Sequence, residues 1–296
     1  MSHVKPLHPI LTGNLHSKLL ATWYIFVNRV TTYSRYKGQV FMSIVTPIMI
    51  AAIPILMGQA IAGSPEKAAQ IFQTTTHTSA GSYQGYMLIG ALLFQLVSNS
   101  LWNFGFWLRR EQMTGTLESG VYLVPLGRNW QIIGSSFYTI ARNSVSFIIA
   151  LVLGTVIFSI QVGTFLQSTI ILGLLFLIIG IVPIMALALL FGAVILKFKE
   201  VGSLIELMQW VVSFLMGVFF PVTILPTVLY VITLLFPPTW TANGIRTALY
   251  GAPAFIGVWQ DLLVSFGYML IVPFIALYWF SKVEKNVITK DGVGKY

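Results

Sequence analysis

The sequence has no cysteine and few charged residues. The absence of cysteine excludes disulfides, thiolate metal sites and cysteine nucleophiles. Charged residues make up 8% of the 296 positions and hydrophobic residues 56%, whereas soluble domains carry about a quarter charged residues. So few charges cannot cover the surface of a water-soluble globule, and the composition therefore predicts a membrane protein.

The motifs of common enzyme classes are also missing. The four histidines, all within the first 77 residues, show no metal-ligand spacing. There is no H-E-x-x-H or G-x-S-x-G motif, no pair of intramembrane aspartates and no G-x-x-x-x-G-K-[ST] phosphate loop. We therefore expect no enzyme activity, no metal and no cofactor in this chain itself.

Long apolar stretches recur, each able to cross a hydrocarbon core of about 30 Å as a helix. They predict an all-α polytopic membrane protein with six transmembrane helices, at about 40–61, 86–107, 137–160, 166–196, 203–220 and 258–280. These spans divide the chain into three predicted parts, which are a cytoplasmic N-terminus 1–38, a six-span domain 39–280 and a cytoplasmic tail 281–296. Because the first part lacks the apolar core of a signal peptide, we expect it to be retained.

The basic residues predict the orientation of the spans. Of the 17 lysines and arginines, Lys67 and Arg246 fall on one side of the predicted spans and the other 15 on the opposite side. By the positive-inside rule both termini are cytoplasmic, at a plasma membrane, and 62–85 and 221–257 face outward. Topology thus explains the net charge of +9, and no nucleic-acid partner is expected.

An amphipathic helix is predicted before the first span, over residues 14–36. Apolar residues such as Trp23 and Val30 share one face, and Lys18 and Arg29 lie on the other. Such a helix lies in the cytoplasmic membrane interface. Two alternatives remain open for it, a simple membrane anchor or a cuff around a partner bound at the cytoplasmic face.

Between the fifth and sixth spans, 221–253 has a different pattern. Its pieces 228–236 and 243–250 are each too short to span, and Pro237-Pro238 lies between them. The segment predicts an outward re-entrant pair of half-helices, which lipid tolerates only if their backbone ends are covered by protein or face a cavity.

Polar residues inside the spans are candidate functional residues, because burying them in lipid is costly. Gln95, Asn99 and Asn103 recur every four residues and share one face of the second span. They either hydrogen-bond between helices or line a translocation path.

Two pairs of opposite charge are candidate gates. Arg142 and Glu206 lie near the predicted cytoplasmic face, and Arg246 and Asp261 near the outer face. No acidic residue lies in the middle of any span, so coupling to an ion gradient has no obvious carrier.

The cytoplasmic segment 107–131 is too rich in aliphatic residues for a disordered linker and predicts a short helix that docks into a groove. It contains a run of the form R-E-x-x-x-G-T-L-E followed by a proline, formed by Arg110, Glu111, Gly115, Thr116, Leu117, Glu118 and Pro125. This run resembles the mark of the permease subunits of ATP-binding-cassette (ABC) exporters of the ABC type 2 class.

The outward segment resembles the same family, in which two half-helices precede the last span and end with an arginine. The matching residues are Phe220-Pro221, Leu225-Pro226, Phe236-Pro237-Pro238-Thr239-Trp240 and Asn243-Gly244-Ile245-Arg246. With the interface helix and six spans, the resemblance covers nearly the whole chain.

The resemblance implies a half-transporter in the membrane. A second permease copy, identical or related, would complete the path, and separate nucleotide-binding subunits would bind ATP and magnesium. A coupling helix at 113–124 would transmit their closure, through Glu111, Gly115, Thr116, Leu117, Glu118 and Pro125.

The cargo stays open at this level. Amphipathic drugs or lipids fit a path lined by Gln95, Asn99 and Asn103, and polysaccharide or lipid-linked glycan is the alternative, with Trp102 and Trp107 as stacking surfaces. From another class, a secondary transporter or channel would act alone, and a membrane scaffold would bind a partner without transport.

Overall fold

The computed structural model describes residues 14–76, 83–107, 128–160, 167–198 and 202–291. Within these ranges all regular structure is helical and no strand is present. The ten α-helices of these ranges are α1 Leu15–Arg35, α2 Lys37–Ala62, α3 Pro65–Thr76, α4 Tyr83–Ser100, α5 Arg128–Ile157, α6 Gln167–Phe198, α7 Gly202–Leu215, α8 Thr227–Leu234, α9 Pro237–Tyr250 and α10 Val258–Asp291. A π-helical segment, Leu101–Gly105, continues α4, and a 3₁₀ turn, Val222–Ile224, follows α7.

The multi-pass membrane fold predicted from composition is confirmed in its coarse form. In the described part of the chain, five helices are long and apolar enough to cross a membrane, namely α2, α4 with the π segment, α5, α6 and α10. The bent pair of α8 and α9 makes a sixth if it is counted as one span. Large apolar side chains such as Phe274 and Trp259 are exposed on α10, as expected where lipid is the solvent.

The predicted fifth span is shorter in the structure than in the sequence pattern. The apolar run continues to Phe220, but α7 ends at Leu215 after 14 residues. Such a helix is about 21 Å long, less than a hydrocarbon core of about 30 Å. The chain leaves the helix through Gly217, whose φ of 60° is left-handed and suits glycine.

Helix α6 lies at the centre of the bundle and packs against α9, α10 and the π segment. Its Phe176 and Ile181 are fully buried. The close approach to the π segment depends on two glycines, since a Cβ on Gly192 would lie 3.0 Å from the carbonyl oxygen of Gly105. Small residues at such crossings let helix backbones pack closely in a membrane.

The predicted amphipathic segment forms helix α1, which packs against α5 and α2. Thr22 is buried, and the backbone of Thr22 and the side chain of Ile25 approach Gly134 of α5. The predicted apolar face points away from the bundle, with Trp23 57% exposed. The side opposite the apolar face therefore holds α1 against the protein.

The bent pair before the last span has boundaries that differ from the sequence expectation. Helices α8 and α9 meet at an angle of 90°. Helix α9 begins at Pro237 and not at Asn243, because prolines in the first turn of a helix need no hydrogen-bonded N–H and already have a helical φ.

Helix α3 was not predicted, since 62–85 was treated as an outward connection. The Ser64 Oγ accepts the backbone N–H of Lys67 at 3.2 Å, and Pro65 and Glu66 follow in the first turn. Serine at the cap, proline at the first position and an acidic residue near the N-terminus all favour a helix start.

Candidate functional site

A polar cavity of about 800 Å³ lies between α1, α2, α4 and α5. The predicted path residues Gln95, Asn99 and Asn103 all line it, because they share one face of α4 and its π segment. Arg142 of α5, predicted as half of a gate, lines it as well. Four of the predicted site residues are thus brought together around one cavity.

The amides of the cavity wall form a directed chain of hydrogen bonds. Gln95 Nε2 donates to Asn99 Oδ1 at 3.0 Å, and Asn99 Nδ2 donates to Asn143 Oδ1 at 3.4 Å. Asn103 Nδ2 donates to the backbone carbonyl of Asn99 at 2.8 Å. The amides therefore hold one another in place and connect α4 to α5 by hydrogen bonds. Gln95, Asn99 and Asn103 also line the cavity.

Asn103 lies in the π segment, where the helix is locally wider. The N–H of Phe106 bonds the carbonyl of Leu101 at 3.1 Å, across five residues. One-turn π segments of this kind occur frequently at functional sites. The π segment lines the polar cavity through Trp102 and Asn103, and in the sequence it is followed shortly by 108–127, which lies outside the described residues.

Arg142 is held by aromatic side chains. Its guanidinium carbon lies 4.5 Å from the centre of the Tyr33 ring, within the range of a cation–π interaction, and Tyr138 lies beside it. The hydroxyl of Tyr33 hydrogen-bonds Ser43 Oγ at 2.8 Å, and Ser43 bonds Ser146 Oγ at 3.2 Å. Tyr33 is therefore fixed by α2 and α5, and it in turn positions Arg142.

Arg142 and Glu206 do not pair. Glu206 is exposed on α7, which packs against α4 and the π segment. In the described ranges Arg142 contacts Tyr33 and Tyr138 and no carboxylate. The predicted ion pair between these two residues does not form in the described part of the chain, where Arg142 is held by the two tyrosines instead.

Arg246 and Asp261 do not pair either. Arg246 is 2% exposed, and its Nη1 donates to the Tyr86 hydroxyl and to the carbonyl of Gly217, both at 2.9 Å. Its Nη2 donates to the carbonyl of Val218 at 2.7 Å. These carbonyls belong to the turn that follows α7, so Arg246 fixes that turn.

Asp261 caps a different element. Its carboxylate accepts the backbone N–H groups of Phe255 and Ile256 at 2.9 and 3.1 Å, in the turn that leads into α10. The predicted pairing does not form because both charged groups bind backbone groups instead, Arg246 the carbonyls of Gly217 and Val218 and Asp261 the N–H groups of Phe255 and Ile256.

Other side chains of α9 and α10 cover the remaining helix ends of this region. Thr239 Oγ1 donates to the carbonyl of Leu215, the last residue of α7, at 3.0 Å. Trp240 Nε1 donates to the carbonyl of Leu234, the last residue of α8, at 2.7 Å, and Tyr268 approaches the same oxygen at 3.4 Å. The last carbonyls of α7 and α8 are therefore covered by protein side chains.

The predicted coupling residues lie outside the described residues, namely Glu111, Gly115, Thr116, Leu117, Glu118 and Pro125. No group of His, Asp and Glu that could hold a metal occurs among the described residues.

Sequence reasoning missed the contribution of α1 to the cavity. Arg29 and Tyr33 line it, four residues apart on the side of α1 opposite its apolar face. Their spacing was a usable signal, but the sequence alone could not show which helix they would face. No family model matches this chain, and no curated protein matches it, so the functional conclusion depends on the geometry and the motifs described above.

Proposed function

We propose that this chain is the transmembrane permease subunit of an ATP-driven ABC exporter of the ABC type 2 class. The observation that carries the proposal is the course of α4. It lines the polar cavity with Gln95 and Asn99, passes through the π segment, and leads directly into the segment that contains the R-E-x-x-x-G-T-L-E run. Along the sequence, α4 and its π segment thus connect a candidate path to the run that marks a candidate docking site.

ATP-driven transport requires a physical connection between the ATPase and the path. A separate nucleotide-binding subunit, which binds ATP and magnesium, can bias the permease only through an element that it contacts differently in its two states. Glu111 and Glu118 would contact that subunit, and movement of the segment would reach Asn103 and Asn99 through the π segment.

The remaining fold features fit the same proposal. Helix α1, with Trp23 exposed on its apolar face, would lie in the cytoplasmic interface beside the docked subunit. Helices α8 and α9 would form a re-entrant pair on the outer side, with the end of α8 capped by Trp240 and the turn that follows α7 held by Arg246. Both termini would then be cytoplasmic in a multi-pass plasma-membrane protein.

A second permease copy, identical or related, would complete the path. The spans α2, α5 and α10 bury little of their surface within one chain, only 28%, 22% and 17% of their most apolar windows. Lipid and a second copy are the two surfaces available to cover them.

The partner subunit is the direct test. The tagged chain is purified gently from its native membrane, and the proteins that stay bound are identified by mass spectrometry. We expect a stoichiometric soluble subunit that carries a phosphate loop. Reproducible absence of such a subunit from a folded, functional permease would contradict the proposal and favour a secondary transporter or channel that acts alone.

The role of the coupling segment has its own test in the same complex. We expect Glu118→Ala to weaken the coupling of ATP turnover to transport by about tenfold, because it removes a carboxylate contact to the ATPase. Glu66→Ala is the matched control, since Glu66 is an exposed glutamate on α3, at the opposite end of the predicted topology. If both variants couple normally, the proposed role of Glu118 is wrong.

A further inference from the structure

Helix α7 has an exposed face that combines large apolar side chains with one carboxylate. The apolar side chains of this face are 42% to 63% exposed, namely those of Leu207, Trp210, Val211 and Phe214. Residues three and four apart share one face of a helix, and Glu206, also exposed, comes one turn before Trp210 on the same face. We call this set of five residues the α7 face.

The carboxylate of the α7 face has no counterion within the chain. Among the described residues, Glu206 makes no hydrogen bond and no ion pair through its side chain. Acyl chains supply no counterion, and acidic residues in membrane segments pair with other charged or polar groups. A protein surface that carries a positive charge would therefore cover the α7 face better than lipid.

Lys37, the first residue of α2, provides the complementary charge. It is exposed and, in the part of the chain that the structure describes, it has no acidic partner. Phe41 follows one turn later and is 61% exposed, and Met49 lies further along the same face, 62% exposed. The exposed face of α2 thus repeats the pattern of the α7 face, a charge followed by an aromatic residue four positions later, with the opposite sign of charge.

Helix α7 runs antiparallel to α4. The carbonyl of Val218, just after α7, lies against Gly90 in the first half of α4. Trp210, earlier in α7, packs against Phe94, later in α4, with 5.7 Å between the ring centres. The start of α7, with Glu206, therefore lies towards the π-segment end of α4.

Helix α2 runs antiparallel to α4 as well. Gly58, near the end of α2, lies against the ring of Tyr83 at the start of α4, and the Tyr83 hydroxyl donates to the carbonyl of Pro54. The two helices α2 and α7 are therefore parallel to each other. Lys37 and Glu206, each near the start of its helix, lie at the same end of the bundle.

We propose that the α7 face is the contact surface for a second copy of this chain, in which Glu206 pairs with the partner's Lys37. A two-fold axis along the membrane normal keeps the same ends of both copies on the same side, so α7 of one copy runs parallel to α2 of the other. The ion pair then forms twice, once on each side of the axis. This inference rests on the proposed function for the presence of a second permease copy, and it names the surface where that copy binds.

The contact surface adjoins the polar cavity. Trp210 of the α7 face packs against Phe94, and the next residue of α4 is Gln95 of the cavity wall. A second copy bound to the α7 face would therefore lie beside the cavity, as expected of a copy that completes the path.

Cross-linking tests the contact directly, because the chain has no cysteine and only introduced thiols react. Full-length chains with Glu206→Cys and with Lys37→Cys carry different tags, are produced together, and are treated in the membrane with a short bismaleimide. We expect a cross-linked dimer that carries both tags. The matched control pairs Glu206→Cys with Lys282→Cys, an exposed lysine on α10, and should give almost none.

Charge reversal in the cysteine-free chain tests the ion pair. Glu206→Lys should raise the concentration at which half of the purified protein is dimeric about tenfold, because a lysine then faces a lysine. A second change in the same chain, Lys37→Glu, should restore dimerisation, whereas Lys282→Glu should not. A role of Glu206 in folding alone would not be rescued by a reversal at Lys37.

A mixed dimer no more abundant than that of the control pair would overturn the proposal, and so would a Lys37→Glu change that restores nothing. Either result leaves the α7 face to lipid or places the second copy elsewhere. Neither measurement needs an ATPase, so a negative result leaves the exporter proposal intact, and the absence of an ATPase partner leaves the contact between copies intact.

Discussion

Replacement of Arg246 by methionine tests whether its role is to hold the turn that follows the short helix α7 by capping the carbonyls of that turn. The change keeps a long side chain of similar volume and removes all three hydrogen bonds, to Tyr86 and to the carbonyls of Gly217 and Val218. It also removes the stacking of the guanidinium over the Tyr86 ring, whose centre is 3.6 Å from the guanidinium carbon.

The expected loss follows from the two carbonyls left behind. Each buried carbonyl without a partner costs about 1–3 kcal/mol, so we expect a destabilisation of about 4 kcal/mol. Tyr86→Phe removes only one of the three bonds and leaves both carbonyls paired, so its expected cost is about 1 kcal/mol. Arg246→Met should therefore destabilise the protein clearly more than Tyr86→Phe does.

The assay is thermal unfolding of the purified protein in detergent, followed through its intrinsic tryptophan fluorescence. For a chain of this size a loss of about 4 kcal/mol lowers the unfolding midpoint by about 10 °C. Arg35→Met is the control, because it removes an arginine that is exposed at the end of α1. Equal midpoints for Arg246→Met and Arg35→Met would refute the capping argument.

Two other changes give independent checks. Trp240→Phe removes the indole N–H that caps the carbonyl of Leu234, and we expect a loss of about 1 kcal/mol in the same unfolding assay, because Tyr268 still approaches that oxygen; a loss as large as that of Arg246→Met would contradict this. Asn99→Leu breaks the amide chain to both Gln95 and Asn143, and we expect a loss of about 2 kcal/mol together with reduced substrate-stimulated ATPase activity of the complex. Normal ATPase stimulation in a folded Asn99→Leu protein would show that the amides only join helices.

The sequence was sufficient for features that depend on local pattern. Apolar length predicted the spanning helices, and the four-residue spacing predicted that Gln95 and Asn99 share a face. Amphipathic periodicity predicted the helix at α1, although not that its polar side would pack against Gly134. These features depend only on residues that lie within a few helical turns of one another in the sequence.

Features that depend on distant partners were not predictable in the same way. Arg246 caps carbonyls 28 and 29 residues earlier in the chain, and nothing local to it distinguishes that role from a pairing with Asp261. The early end of α7 likewise depends on Gly217 and on caps supplied by α9. Opposite charges in a sequence suggest a pair, but backbone groups that need partners in a membrane compete for the same side chains.

The volume of the cavity beside Arg246 and beside Arg142 separates a structural role from a binding role. The Nε of Arg246 has no protein partner, and neither has that of Arg142. The cavity beside Arg246 has a volume of about 30 Å³, which is room for one water molecule, and one water can satisfy one N–H. The cavity beside Arg142 has a volume of about 800 Å³ and a largely polar lining. The first cavity therefore has room for one water only, which fits a structural arginine, whereas the second has room for a polar ligand beside Arg142.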